Sequence, residues 1–188
     1  MAYHGYRITY SLRWNGPKSS YIYQRFFRAL YGYKQIVSKS NGRRYVYYRP
    51  GVLTNHPYIR VGKTAVVVPA SALQPLMSFL KTGQNPAHRF TFTGQWPDIV
   101  KYSMEETSVA DEAAAEAVVA ALSRVSLNMV SGNVAAINLL KSINALSPDE
   151  LYSLYYAIKP IIASDWFPAI RSEYPELYAD VQALLTTL

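Results

Sequence analysis

Between residues 43 and 49 the chain reads Arg-Arg-Tyr-Val-Tyr-Tyr-Arg, which packs three guanidinium groups and three phenol rings into seven residues. An extended backbone places Arg43, Tyr45, Tyr47 and Arg49 on one face and Arg44, Val46 and Tyr48 on the other. Guanidinium groups hold phosphates, and flat rings receive unstacked bases. The first face therefore has the chemistry that single-stranded nucleic acid requires. Tyr48, on the opposite face, is expected to serve packing. The competing structural reading is that the tyrosines are half-buried sheet residues and the arginines keep an open face soluble.

The charge distribution favours the binding reading. Residues 1–101 contain fifteen Lys/Arg and a single acid, Asp98, a net +14. Residues 102–188 contain four Lys/Arg and eleven acids, a net −7. A solubilising surface mixes both signs, whereas a surface that faces polyphosphate excludes acids, because each cation on a phosphate releases a condensed counterion. Further cations spread over this half. Arg7 and Arg13 lie on the polar face of an alternating segment and would join the site if that strand shares a sheet with residues 43–49. Lys18 follows it, Arg25 and Arg28 share a helix face, Lys39 lies in a hairpin loop, and Arg60 and Lys63 lie in a second hairpin. Together they make a field that steers a polyanion.

Several other chemistries are excluded or disfavoured. Cysteine is absent, which removes disulfides, thiolate nucleophiles and zinc knuckles. His4, His56 and His88 have no partners at metal-ligand spacing, so neither a metal nor a cofactor is expected. Gly62-Lys63-Thr64 resembles the end of a phosphate loop, but position 57, where that loop needs glycine, is Pro57. An RNA-recognition sheet would place glycines between its aromatics, and Gly42–Tyr48 lacks them. Nuclease chemistry needs clustered carboxylates for Mg²⁺, and the basic half offers Asp98 alone. Glu105, Glu106, Asp111, Glu112 and Glu116 crowd an expected helix start, where the helix dipole accounts for them.

The elements that position these residues follow from periodicity. Gly5–Trp14 alternates as a half-buried strand. Tyr21–Tyr31 reads as a helix with Ser20 as its cap, an apolar stripe of Ile22, Phe26, Phe27 and Leu30, and Gly32 past its end. Lys34–Ser38 and Arg43–Arg49 flank Lys39-Ser40-Asn41-Gly42, and Asn-Gly between strand-like runs signals a hairpin because both residues tolerate positive φ. Tyr58–Val61 and Thr64–Val68 form a second hairpin, and Ser71–Thr82 a second helix. Gln84–Pro97 is a connector with strand character at Phe90–Phe92. Beyond it the pattern turns helical: Ser108 with Asp111 approximates a capping box, an Ala-rich helix runs to about Leu127, and Asn133–Leu146 is another helix. Ser147-Pro148-Asp149-Glu150 opens a helix, and Ser164–Ser172 and Pro175–Leu185 close the chain.

The expected fold class is α+β: a small antiparallel sheet with two helices over 1–101, followed by an all-helical acidic bundle over 102–188, with the boundary inside Gln95–Glu105. The expected function is non-catalytic binding of nucleic acid, single-stranded DNA or RNA ahead of duplex, within a larger nucleoprotein assembly. A structural packaging protein of chromatin or a virion, and a metal-dependent nuclease using the helical acids, are the alternatives. The acidic region could dock a protein partner or a second copy. No segment reads as a secretory signal or a membrane span, so the cytoplasm is the default compartment and no membrane partner is expected.

Overall fold

The first strand follows from its alternation. In Ala2–Leu12 (β1), Ile8 and Tyr10 are buried, Tyr6 and Leu12 half-buried, and Arg7, Thr9 and Ser11 exposed. A computed structural model describes residues 2–13, 16–18, 21–84, 100–130 and 132–188. Ser20, expected as a cap, and Phe90–Phe92, expected as a strand, lie outside the described residues, as do the side chains of Tyr21 and Ile22.

The next elements are Tyr21–Tyr31 (α1), Tyr33–Ser38 (β2), Arg44–Arg49 (β3), Ile59–Val61 (β4), Ala65–Val68 (β5) and Ala70–Thr82 (α2). They keep the expected order. Val100–Ala110 (β6) then opens the acidic half as an eleven-residue strand. It is followed by Asp111–Arg124 (α3), the hairpin Ser126–Met129 (β7) and Gly132–Ala135 (β8), Ala136–Leu140 (α4), Pro148–Ile162 (α5), Ile170–Glu173 (α6) and Pro175–Thr187 (α7). Short 3-10 turns lie at Ile143–Ala145 and Phe167–Ala169.

The sheet order β4-β5-β1-β6 makes one four-stranded antiparallel sheet, and β2-β3 and β7-β8 are separate two-stranded sheets. Mixed α and β is therefore correct, but the all-helical acidic half is not: β6, β7 and β8 lie within it. Ser108 belongs to β6, and α3 starts at Asp111 with Ala110 at its cap and no side-chain cap bond. The helix expected over Asn133–Leu146 is instead β8, the five-residue α4 and a 3-10 turn.

The charge boundary at 101/102 cuts through β6. The chain divides differently, into a larger unit of residues 1–9, 55–73 and 104–188 and a smaller unit of 10–54 and 74–103. β1, α2 and β6 each contribute residues to both.

In the larger unit, small residues let α3 pack closely: Ala114, Ala115, Ala117 and Ala121 are buried beside Val118 and Leu122. They share a core with Leu154 and Ile158 of α5, Val181 and Leu184 of α7, and the fully buried Trp166. Trp166 Nε1 donates to the His4 carbonyl at 2.7 Å, tying the first strand to the last third of the chain. Gly5 is required there, because a Cβ would come within 2.9 Å of Val109 Cγ2 and 3.1 Å of the Trp166 ring. Ser147 caps α5 reciprocally: its Oγ accepts from Glu150 N–H, and Glu150 Oε2 accepts from Ser147 N–H at 2.8 Å.

In the smaller unit, Tyr10, Phe26 and Phe79 form a buried aromatic row with centroid separations of 5.3 and 5.6 Å. Tyr10 and Tyr31 share a hydroxyl hydrogen bond at 2.9 Å. The end of α1 fixes both roots of the β2–β3 hairpin. Gly32, at φ +79°, ends the helix and leads into Tyr33. On the return, Val52 and Leu53 N–H donate to the carbonyls of Ala29 and Leu30 at 2.9 and 3.0 Å. That approach brings Gly51 so near the backbone of Leu30 and Gly32 that a Cβ would collide with it.

Candidate nucleic-acid interface

The β2–β3 hairpin pairs Tyr33 with Arg49, Lys34 with Tyr48, Gln35 with Tyr47, Ile36 with Val46, Val37 with Tyr45 and Ser38 with Arg44. Its turn runs over residues 39–43, one residue longer than the expected Lys39–Gly42. Gly42 N–H donates to the Lys39 carbonyl at 3.0 Å, Lys39 N–H to the Arg43 carbonyl at 2.9 Å, and only Gly42 takes positive φ, at +75°. This is a wider turn closed by a glycine bulge. Asn41 helps through its side chain instead, with Oδ1 accepting from Arg43 N–H at 3.1 Å.

Directly opposed residues share a face of an antiparallel pair. One face therefore holds Tyr33, Gln35, Val37, Tyr45, Tyr47 and Arg49, and the other holds Lys34, Ile36, Ser38, Arg44, Val46 and Tyr48. Tyr45, Tyr47 and Arg49 share one face as expected, but Arg43, expected on that face too, lies in the turn before β3 and outside the cross-strand register. The packing role expected for Tyr48 is not: every residue of its face is exposed, with Tyr48 at 45%, Val46 at 44% and Ile36 at 64%. Tyr45 and Arg49 are half-buried, and Tyr47 is 41% exposed. The sequence cannot decide between the faces, since both mix aromatic, aliphatic and basic residues.

Each of the hairpin's four tyrosine rings has a cation beside it. Lys39 Nζ lies 4.9 Å from the Tyr45 centroid, Arg49 Cζ 5.6 Å from Tyr47, Lys34 Nζ 5.2 Å from Tyr48, and Arg28 Cζ of α1 5.1 Å from Tyr33. Such pairs are worth about 0.5–1 kcal/mol at exposed sites. Gln35 holds Arg49 in position, its Oε1 accepting from Arg49 Nε at 3.0 Å. Gln24 does the same for Arg28, whose Nη2 donates to Gln24 Oε1 at 3.3 Å. Lys34 and Tyr33 belong to this array and were not singled out by spacing. The signal that finds them is the cross-strand register.

The other candidate cations divide between the two units. The smaller unit holds Arg13 and Lys18, both exposed, Arg25 and Arg28 on α1, and Lys39, Arg43, Tyr45, Tyr47 and Arg49. The larger unit holds Arg7 on β1, Arg60 on β4 and Lys63 in the β4–β5 turn. Arg7 does not share a sheet with the hairpin, because β1 belongs to the four-stranded sheet, and its Nε pairs with Glu105 Oε1 at 3.6 Å. By unit the charge is divided less sharply than by half, but the sign of each part is the same. The smaller unit has twelve Lys/Arg against one acid, a net +11, and the larger has seven against eleven, a net −4.

One further basic side chain in the larger unit is structural. Arg124, at the end of α3, is half-buried, lies 4.2 Å above the Tyr58 ring and donates from Nη2 to the His56 carbonyl at 2.9 Å. Burial pulls its pKa below the usual guanidinium value, and Tyr58 acts in the opposite sense. Burial also lowers the His56 pKa.

Among the described residues no group of three His, Asp or Glu side chains is placed to hold a metal ion, and no helix is long and apolar enough to cross a membrane. Comparison with family models, with curated proteins and with solved structures gives no match.

Proposed function

We propose that this protein binds nucleic acid without catalysing a reaction on it, and that it takes single-stranded DNA or RNA ahead of duplex. One observation carries the reading: residues 33–49 form a hairpin with five Lys/Arg, no acid and four tyrosines, each with a cation beside its ring. The cations hold no local carboxylate that a phosphate would have to displace. A strand laid along the hairpin draws Lys39 and Arg49 from ring to phosphate, and the exposed ring surface then receives a base.

Spacing favours the single strand. Tyr45 and Tyr47 are two residues apart on β3, about 6.6 Å. Bases stacked in duplex rise about 3.4 Å per step, so the rings match an extended strand rather than a stacked one. The wider cationic field of the smaller unit, including Arg13, Lys18, Arg25 and Arg28, supplies steering.

The test is a titration of the full-length chain with labelled single-stranded and duplex oligonucleotides of equal length across a salt series. Tighter single-strand binding with a steep negative dependence on salt supports the reading. Absence of binding, or binding indifferent to salt, rejects it.

A further inference from the structure

We propose that two copies of this chain join edge to edge through β6, antiparallel and centred on Ser103. The inference is independent of nucleic-acid binding. β6 ends the sheet order β4-β5-β1-β6, and among the described residues β1 is the one strand beside it. The opposite edge, β4, is three residues long, whereas β6 is eleven and contains neither proline nor glycine. A long strand of this kind presents a row of backbone donors and acceptors that templates another strand.

Symmetry and charge together choose the partner and the register. A two-fold axis perpendicular to the sheet preserves which face each side chain occupies. Opposed residues share a face, so the two positions in every pair must differ by an even number, and one residue must lie on the axis opposite its own copy. With Ser103 on the axis, Lys101 of each copy stands opposite Glu105 of the other, and Tyr102 opposite Met104. Centring on Met104 sets Lys101 against Thr107 and Tyr102 against Glu106. Centring on Glu105 or Glu106 places two carboxylates face to face. Ser103 alone among these centres sets Lys101 opposite a carboxylate, that of Glu105, while Glu106 then stands opposite Val100.

The exposed side chains fit the same arrangement. Lys101, Ser103, Glu105 and Glu106 are exposed, Tyr102 is half-buried, and Met104 is 49% exposed, so a flexible thioether is available to cover the partner's ring. Glu105 already meets Arg7 at 3.6 Å, so in the dimer its carboxylate stands between two cations. A partner with unrelated side chains would gain the backbone bonds but not the two reciprocal ion pairs, which favours a second copy as the occupant.

Charge reversal on nuclease-treated full-length protein tests this, with mass measured by sedimentation across a concentration series. The wild type should pass from one chain to two as concentration rises. K101E and E105K should each raise the midpoint concentration by about tenfold or more, since two attractive cross-strand pairs become repulsive. An equimolar mixture of these two variants should recover the dimer, because each then presents the charges the other lacks. Both positions are exposed, and the Arg7 pair that E105K removes is a surface pair of little weight, so circular dichroism should show both variants folded. A wild type that stays monomeric, single variants that dimerise like the wild type, or a mixture no better than its components would each overturn the proposal.

Discussion

Ile36 stands directly opposite Val46 across the β2–β3 hairpin, and both side chains are exposed. The pair lies at the centre of the face that also carries Lys34, Arg44 and Tyr48. The other face, with Tyr45 and Arg49, is the half-buried one. Truncating Tyr48 should therefore leave stability within about 0.5 kcal/mol, the usual range for surface changes. Tyr45→Ala should lower the melting temperature further than Tyr48→Ala. Thermal melts of the two variants, read by near-ultraviolet dichroism, give the order directly.

Affinity should separate by chemistry on the same hairpin. Tyr45→Ala or Tyr47→Ala should cost about 1–3 kcal/mol in single-strand binding while leaving the salt slope almost unchanged. Arg43→Ala or Arg49→Ala should weaken binding to all sequences and reduce the slope by roughly one contact. Fluorescence anisotropy at four salt concentrations measures both quantities. A slope that falls in the tyrosine variants and not in the arginine ones would reverse the assigned roles.

Gly51→Ala should destabilise the smaller unit by about 1–3 kcal/mol, because the added methyl meets backbone atoms of Leu30 and Gly32, which cannot swing aside as a side chain can. Gly62→Ala is a useful contrast. It has open space around it but sits at φ +67°, so its cost comes from backbone strain alone, about 1–2 kcal/mol. Urea unfolding of each variant yields both costs, and the smaller is expected at Gly62.

Stability should fall on acidification through His56. Burial disfavours its imidazolium, so the native group titrates below 6.5 and the unfolded chain takes up the proton first. Stability is then full above about pH 6.5, declines as the pH drops below that value, and levels off once the native imidazole also protonates. His56→Gln should flatten this part of the profile in urea melts at pH 7.5, 6.5 and 5.5. An unchanged slope would place the titrating group elsewhere.

Arg124→Met keeps the long apolar stem but loses the bond to the His56 carbonyl and the contact with Tyr58. The expected loss is about 1.5–3 kcal/mol, the size of a charge-assisted hydrogen bond. Tyr58→Leu should cost less, because the carbonyl bond remains. The same urea melts compare the two.

Much of the basic region was legible because its signals are local. The alternation of Tyr6, Ile8 and Tyr10, the Gly32 stop and the Asn41-Gly42 turn each act within a few residues. β6 was hidden because Glu105 and Glu106 resemble the acids of a helix start, while the side chains that anchor the strand, Val100 and Val109, lie nine residues apart and so on opposite faces. β7 and β8 overlap the helices expected to about Leu127 and from Asn133, because four-residue strands are too short to show a period against the helix-favouring residues on either side. For the site, residue types were readable and facing was not. The cross-strand register alone reveals that Lys34 stands opposite Tyr48. Arg124 had no local signal at all, since its partner His56 is 68 residues away.

The bond from Trp166 to the His4 carbonyl has a consequence in time. A ribosome that adds roughly 5–20 residues per second makes Trp166 about 8–30 seconds after His4. Throughout that interval Gly5 waits without the indole that packs over it. β1 is thus completed only once residue 166 has been made, and a nascent chain stalled before that residue holds β1 exposed to whatever else can pair with it.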